Sequence, residues 1–327
     1  MSPMPATTPA TFRRRLAEYI GLTLVLLALI TFFSLATNHF FSLTTLRTIA
    51  NQAPDAILLA VGMTYVLIIA GIDLSVGSIL ALSGAVLGLA LAQWHLPLPI
   101  ALLLCLIVGT LCGLANGLVI VRWSLPSFIV TLGMLEIARG ATYLVAHSKT
   151  AYVGRTIERL AEVGIGGFSL AFLLSIAVVI LAQFVLTRTV FGRYMTAVGT
   201  NEEAVRLSGI DPRPIKVAVF IISGTLAALA SVSNVSRLGA ADPNSGTGLE
   251  LAAIAAVVIG GTSLMGGRGS VINSLLGVLI IAVLENGLAQ MGAQEPVKRL
   301  VTGLVIVAAA ILDYYRTRLS RRTPSAP

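Results

Sequence analysis

Apolar runs of about twenty residues, the length of helix that crosses the hydrocarbon core of a bilayer, follow one another along most of this chain. They lie near 16–37, 46–70, 74–93, 97–121, 126–146, 167–187, 214–236, 250–265, 270–291 and 297–313. The second run carries Pro54 and Asp55 near its start, and the eighth is short. Only 11% of the residues are charged, where a soluble domain carries about a quarter. The chain therefore has too little polar surface to dissolve, and the reading is an all-α membrane protein of about ten spans. Arg13, Arg14 and Arg15 precede the first run, and Ser34-Leu35-Ala36 at its end is faintly like a cleavage site. That run is longer than the apolar part of a secretion signal, so it is read as a retained first span.

Lys and Arg favour cytoplasmic connections. With the N-terminus inside, the inner segments hold Arg13, Arg14, Arg15, Arg122, Arg188, Arg193, Arg206, Arg213, Lys216, Arg268, Arg316, Arg318, Arg321 and Arg322. The outer segments hold half as many: Arg47, Lys149, Arg155, Arg159, Arg237, Lys298 and Arg299. Both termini are thus expected in the cytoplasm, with tails at 1–15 and 314–327 around a permease domain over 16–313. The net charge of +8 expresses this topology and not nucleic-acid binding, since no basic run resembles a DNA-reading helix.

A weak internal repeat supports that arrangement. Gly71-Ile72-Asp73-Leu74 stands at the mouth of the third run and Gly248-Leu249-Glu250-Leu251 at the mouth of the eighth. Asn116-Gly117-Leu118 is followed by Pro126 and Gly133, and Asn286-Gly287-Leu288 by Pro296 and Gly303, with the same spacings. Spans 2–5 would then recur, inverted, as spans 7–10, an architecture in which the solute route follows the repeat interface.

Polar groups at membrane depth cost free energy and need a reason. Asp73 and Glu250 open helices, where free N–H groups and the helix dipole favour an acid; shaping a gate is the alternative. Glu136 and Arg139, three apart, share a helix face and read either as an ion pair or as the lining of a hydrophilic cavity. Ser75, Asn116 and Asn286, with Glu285 beside the last, either cross-bond helices or meet solute hydroxyls.

Other functions lack their residues. No G-x-x-x-x-G-K-[ST] phosphate loop exists, so the chain is not expected to hydrolyse ATP itself. Three histidines and two cysteines form no metal spacing. Cys105 and Cys112 lie about 10 Å apart along a helix, too far to bridge. No enzyme and no cofactor is expected.

Four stretches resemble the permeases of bacterial ABC importers of the ribose/xylose/galactose type. They are Val61-Gly62-Met63-Thr64-Tyr65-Val66-Leu67 running into Gly71-Ile72-Asp73-Leu74-Ser75-Val76-Gly77-Ser78; Asn116-Gly117-Leu118 with Leu125-Pro126-Ser127-Phe128 and Ala138-Arg139-Gly140; Phe191-Gly192-Arg193 with Asn201-Glu202-Glu203-Ala204 and Leu207-Ser208-Gly209-Ile210; and Ile259-Gly260-Gly261-Thr262 with Gly266-Gly267-Arg268-Gly269. The resemblance implies ten spans with inverted repeats, like the vitamin B12 importer permease. It implies a second permease chain, two ATP-binding subunits inside and a periplasmic solute-binding protein outside. It also implies that 199–210 is the coupling helix that docks on the ATPase, with Gly199, Asn201, Glu202, Glu203, Ala204, Leu207 and Gly209 in that role. The residues suit it: Asn201 is a fit N-cap with acids in the first turn, and Gly209 a fit stop. Where the family often has Gly before Gly-Ile-Asp-Leu, this chain has Ala70, a departure read as modest. A secondary transporter driven by an ion gradient, with Asp73 or Glu136 as its coupling acid, is the rival reading.

Overall fold

A computed structural model of the chain describes residues 9–311 apart from 163, 295, 306, 309 and 310. The tail expected at 314–327, with Arg316, Arg318, Arg321 and Arg322, lies outside the described residues. The elements are α1 (Pro9–Ala36), α2 (Leu43–Gln52), α3 (Pro54–Ile68), α4 (Val76–Ala92), α5 (Leu98–Trp123), α6 (Ser127–Val145), β1 (Ala151–Tyr152), α7 (Arg155–Glu162), β2 (Gly164–Ile165), β3 (Phe168–Ser169), α8 (Leu170–Arg188), α9 (Val190–Thr200), α10 (Glu202–Leu207), α11 (Arg213–Leu238), β4 (Ala240–Ala241), α12 (Leu249–Ile259) and α13 (Val271–Gln290). Residues 296–305 are also helical.

Among the described residues, six helices are long and apolar enough to cross a membrane: α1, α5, α6, α8, α11 and α13. A seventh span results if α2 and α3, bent by 49° at their junction, count as one. The bend falls at Pro54, which has no N–H to continue the helix and restricts the residue before it. The runs expected at 74–93 and 250–265 form only the 17 residues of α4 and the 11 of α12. At 1.5 Å per residue these reach about 25 and 16 Å, short of the roughly 30 Å hydrocarbon core.

Two compact units divide the chain: Leu43–Val278, and Met1–Ser42 with Leu279–Pro327. In the second, Phe33 is buried between Phe32 and Phe40. A Cβ on Gly287 would run into the Phe33 ring, so glycine there lets that ring lie on the helix backbone.

In the larger unit α11 is the central helix and packs on α5, α3 and α4. A ladder of glycines four apart on α5 makes the closest contact. A Cβ on Gly109 would meet the carbonyl of Gly224, one on Gly113 the carbonyl of Phe220, and one on Gly117 the Cα of Val217 at 2.9 Å. Small residues at this spacing let two helix backbones touch, which is how apolar helices gain packing energy where water gives none. The remaining irregular chain ties the ends of the bundle. β1 pairs antiparallel with β4, and β2 with β3. Arg47 and Asn51 of α2 donate to the carbonyls of Gly166 and Gly167 in the β2–β3 turn, and Asn51 Oδ1 accepts from Ser169 N.

Candidate functional site

The α9–α10 segment has the local structure its sequence calls for. Asn201, in extended conformation, ends α9 and caps α10, its Oδ1 accepting from Ala204 N at 2.9 Å. At the other end Gly209 adopts φ 84°. Its N–H donates to Arg206 O at 3.0 Å while Ile210 N donates to Val205 O at 3.3 Å, the paired bonds of a glycine-terminated helix. Lys216 of α11 donates to both carboxylate oxygens of Glu202 at 2.9 and 3.1 Å. Glu203 pairs with Arg206 at 2.7 Å, but both side chains are well exposed, so this pair adds at most a few tenths of a kcal/mol. Val205 faces inward, whereas Glu203, Ala204 and Leu207 face out, with Leu207 80% exposed. Six residues would not hold a helix alone in water; capping at both ends and the Glu202–Lys216 pair pre-form this one.

A cavity of about 290 Å³ lies beside the start of α10. Asn201 and Glu202 border it on one side, Ile69–Gly71 on another, and Leu125–Ser127 with Phe220 on the rest. The connection from α3 to α4 starts here. Ala70 N donates to Leu67 O and Gly71 N to Val66 O, both at 2.9 Å, so α3 ends as α10 does, but with alanine in the left-handed position at φ 60°. The departure read as modest in sequence thus falls where glycine alone is free of strain.

Beyond Gly71 the chain is held by side chains from three helices. Ile72 N donates to Ser127 Oγ at 2.9 Å, Leu74 N to Thr131 Oγ1 at 3.1 Å, and that hydroxyl donates to Ile72 O. Asp73 is fully buried. Its Oδ1 accepts from Ser75 N at 3.0 Å and Ser75 Oγ at 2.6 Å, and its Oδ2 from Ser223 Oγ at 2.8 Å. Asn116 Nδ2 donates to Ser75 Oγ at 2.9 Å, and its buried Oδ1 has no partner among the described residues. Asp73, Ser75 and Asn116 therefore belong to one buried network at the head of α4.

Glu136 and Arg139 are not an ion pair. Arg139 donates from one nitrogen to Pro243 O at 2.8 Å and Ser245 O at 3.0 Å, and Tyr143, one turn on, donates to Asn244 Oδ1 at 2.9 Å. Two side chains of α6 thus hold the β4–α12 connection, whose carbonyls have no helix or sheet to satisfy them. Glu136 is exposed and, among the described residues, makes no hydrogen bond or ion pair. It sits amid a run of exposed residues on one face of α6: Ile129, Leu132, Gly133, Ile137, Gly140 and Leu144. A Cβ on Gly133 or Gly140 would meet nothing. Glu250 takes Gly248 N on its Oε1 at 3.1 Å, and its carboxylate lies with the Gly246 carbonyl against Gly77, leaving no room for a Cβ there. The heads of the two short helices therefore meet. Asn286, in the other unit, accepts from Gln290 Nε2 at 3.1 Å.

Sequence reasoning missed one polar cluster. Asp55, nearly buried at the start of α3, accepts from Asn234 Nδ2 at 3.0 Å and from Arg237 at 2.9 Å. An acid inside an apolar run was the available signal, but its partners lie far along the chain.

Short, interrupted helices that carry polar groups inside an apolar bundle are the build of a solute permease. The family described as "Branched-chain amino acid transport system / permease component" matches residues 45–310, and the chain belongs to it. Among its relatives, the ribose import permease protein of Haemophilus influenzae is 39% identical over 297 residues, 89% of this chain and 92% of the relative. The fructose import permease protein of Rhizobium meliloti is 34% identical over 305 residues, 90% and 85% of the two chains. The L-arabinose ABC transporter permease protein of Azospirillum brasilense is 32% identical over 326 residues, 98% and 95%. No solved structure matches the chain.

Proposed function

We propose that this chain is the permease subunit of an ATP-driven importer that carries a monosaccharide across the bacterial inner membrane. The observation that carries this reading is the likeness, over most of the chain, to permeases named for ribose, fructose and arabinose import. The family's description names branched-chain amino acids, but these relatives are named for sugars, and the sugar reading follows them. ATP is hydrolysed on separate subunits that dock at α10, with Leu207 as the apolar contact among Glu203, Ala204 and the capping Asn201 and Gly209. A periplasmic binding protein delivers solute to the opposite face.

The finer arrangement follows the charge bias and the repeat. Counting the α2–α3 pair, the two short helices and the helix at 296–305 gives ten spans in a permease domain over 16–313. Spans 2–5 recur inverted as 7–10, in the manner of the vitamin B12 importer permease, and both terminal tails are cytoplasmic. The meeting of α4 and α12 heads at Gly77 and Glu250 suits two half-helices related by such a repeat. A second permease chain, a copy of this one or a paralogue, covers the open face of α6. Glu136 and Arg139 then line the solute route between the chains, with Glu250 at its gate. Asp73, Ser75 and Asn116 brace that gate from behind, and Asn286 is the repeat's counterpart of Asn116.

Coupling is tested in proteoliposomes holding permease, ATPase and binding protein. Glu203→Arg and Gly209→Pro, the latter incompatible with the φ of 84° at that position, are expected to stop uptake while ATP hydrolysis by the complex escapes control by the binding protein. Normal, binding-protein-stimulated uptake by both variants would remove α10 from the coupling role. A panel of labelled ribose, fructose, allose, arabinose and leucine identifies the solute class; uptake of leucine alone would overturn the sugar assignment.

A further inference from the structure

Three backbone segments meet just behind α10 with no large side chain between them. Gly199, near the end of α9, lies so close to the carbonyl of Ile68 and the amide of Gly267 that a Cβ has no place. Gly267 N donates to Ile68 O at 2.9 Å, joining the end of α3 to the connection between α12 and α13. Gly266, at φ 82°, stands 2.6 Å from Gly199 O and 2.7 Å from the Ala70 methyl, measured from the Cβ it lacks. Gly267, at φ 73°, stands likewise 3.1 Å from Thr200 Cα. The opposite side of the same residues, Ala70 and Gly199–Asn201, borders the cavity of about 290 Å³.

Packing without gaps transmits displacement, while an open cavity absorbs it. The three segments lead to different places: Ile68–Ala70 to Asp73 and α4, Gly199–Thr200 to α10, and 261–269 from α12 to α13. We propose that Ile68–Ala70, Gly199–Thr200 and Gly266–Gly267 move as one rigid joint, which makes Gly266 and Gly267 positioning residues for transport. A displacement of α10 then reaches both short helices at once, α4 through Ala70 and α12 through the 261–269 connection. The cavity is the compliant side, and its far wall at Leu125–Ser127 changes its distance from α10. This inference rests on the reading of α10 as the ATPase-docking helix.

The test uses the complete reconstituted transporter with Cys105 and Cys112 replaced. Spin labels at Arg206→Cys and Met265→Cys measure a distance across the joint; labels at Arg206→Cys and Leu125→Cys measure one across the cavity. The second distance is expected to shift between the nucleotide-free and ATP-trapped states while the first stays fixed. A shift in the first, or no shift in either, overturns the joint. Leu207→Cys cross-linking to the ATPase separates the two readings: with the cross-link formed and the first distance shifting, only the joint fails; with no cross-link, the docking assignment fails and takes the joint with it. Gly267→Ala adds a functional arm, since its methyl would wedge against Thr200. Uptake is expected to fall about tenfold, the factor for roughly 1.4 kcal/mol of coupling, with ATP hydrolysis retained; wild-type uptake overturns the proposal. If that variant fails to reach the membrane, the distance pair decides alone.

Discussion

Replacing Asp73 separates the geometry of its network from its chemistry. Both Ser75 bonds fall on Oδ1 and the Ser223 bond on Oδ2. In Asp73→Asn the amide oxygen can keep the first two, and the amide nitrogen takes the place of Oδ2. The Ser223 hydroxyl can turn and accept there. One amide hydrogen is left over, so the cost is about 1 kcal/mol. Asp73→Ala removes both acceptor oxygens and with them all three bonds. The Ser75 N–H, buried at the head of α4, and two hydroxyls lose partners at about 1–3 kcal/mol each. Because the hydroxyls can turn elsewhere, the sum falls near 3–5 kcal/mol. Thermal unfolding of the purified permease in detergent reads both values against wild type, and uptake by the full transporter reads function. The account expects a small loss of stability and retained uptake for Asn, and a large loss of both for Ala. Equal stability of the two variants would refute the reasoning, because it would mean that hydrogen bonding at Asp73 does not hold the α3–α4 connection. Abolished uptake in a stable Asp73→Asn would assign the acid a direct role in transport.

Ala70→Gly relieves a left-handed alanine and is expected to raise stability by about 1 kcal/mol, seen as a higher unfolding temperature; a lower one would mean that the methyl packing against Gly266 outweighs the strain. Glu136→Leu should lower uptake at least tenfold, about 1.4 kcal/mol, without changing unfolding temperature, since the side chain makes no bond to lose; unchanged uptake removes it from the route. Arg237→Met leaves Asp55 with Asn234 as its one side-chain donor among the described residues. With Arg237 a third exposed, the cost is about 2 kcal/mol, below the range for a fully buried pair, and unfolding measured with and without Asp55→Asn should show the loss largely cancelled in the double variant.

The long spans were legible because twenty apolar residues have few other uses. The α10 helix was legible residue by residue: Asn201, the acids and Gly209 are local signals, and the structure uses each locally. The shortness of α4 and α12 was not: Gly71–Ser75 and 260–264 carry Asp73, Ser75, Thr262 and Ser263, but single polar residues also occur inside spans, and the break after α3 is set by Ala70 and by side chains of α5, α6 and α11 that lie far along the chain. The glycine ladder of α5 is visible as spacing, but its partner helix is not. Spacing alone offers Arg139 either an ion pair with Glu136 or a place on a cavity wall, whereas its acceptors are backbone carbonyls of Pro243 and Ser245, which carry no sequence signature. The exposure of Glu136 likewise depends on which face of α6 the rest of the bundle covers.

The central claim is that this permease moves solute only when a separate ATPase drives it. Labelled sugar uptake is to be measured in proteoliposomes of two kinds, one holding this chain alone under an imposed sodium or proton gradient, the other holding chain, ATPase and loaded binding protein with ATP. The account predicts accumulation in the second and none in the first. Gradient-driven accumulation by the chain alone would contradict it and point to secondary transport.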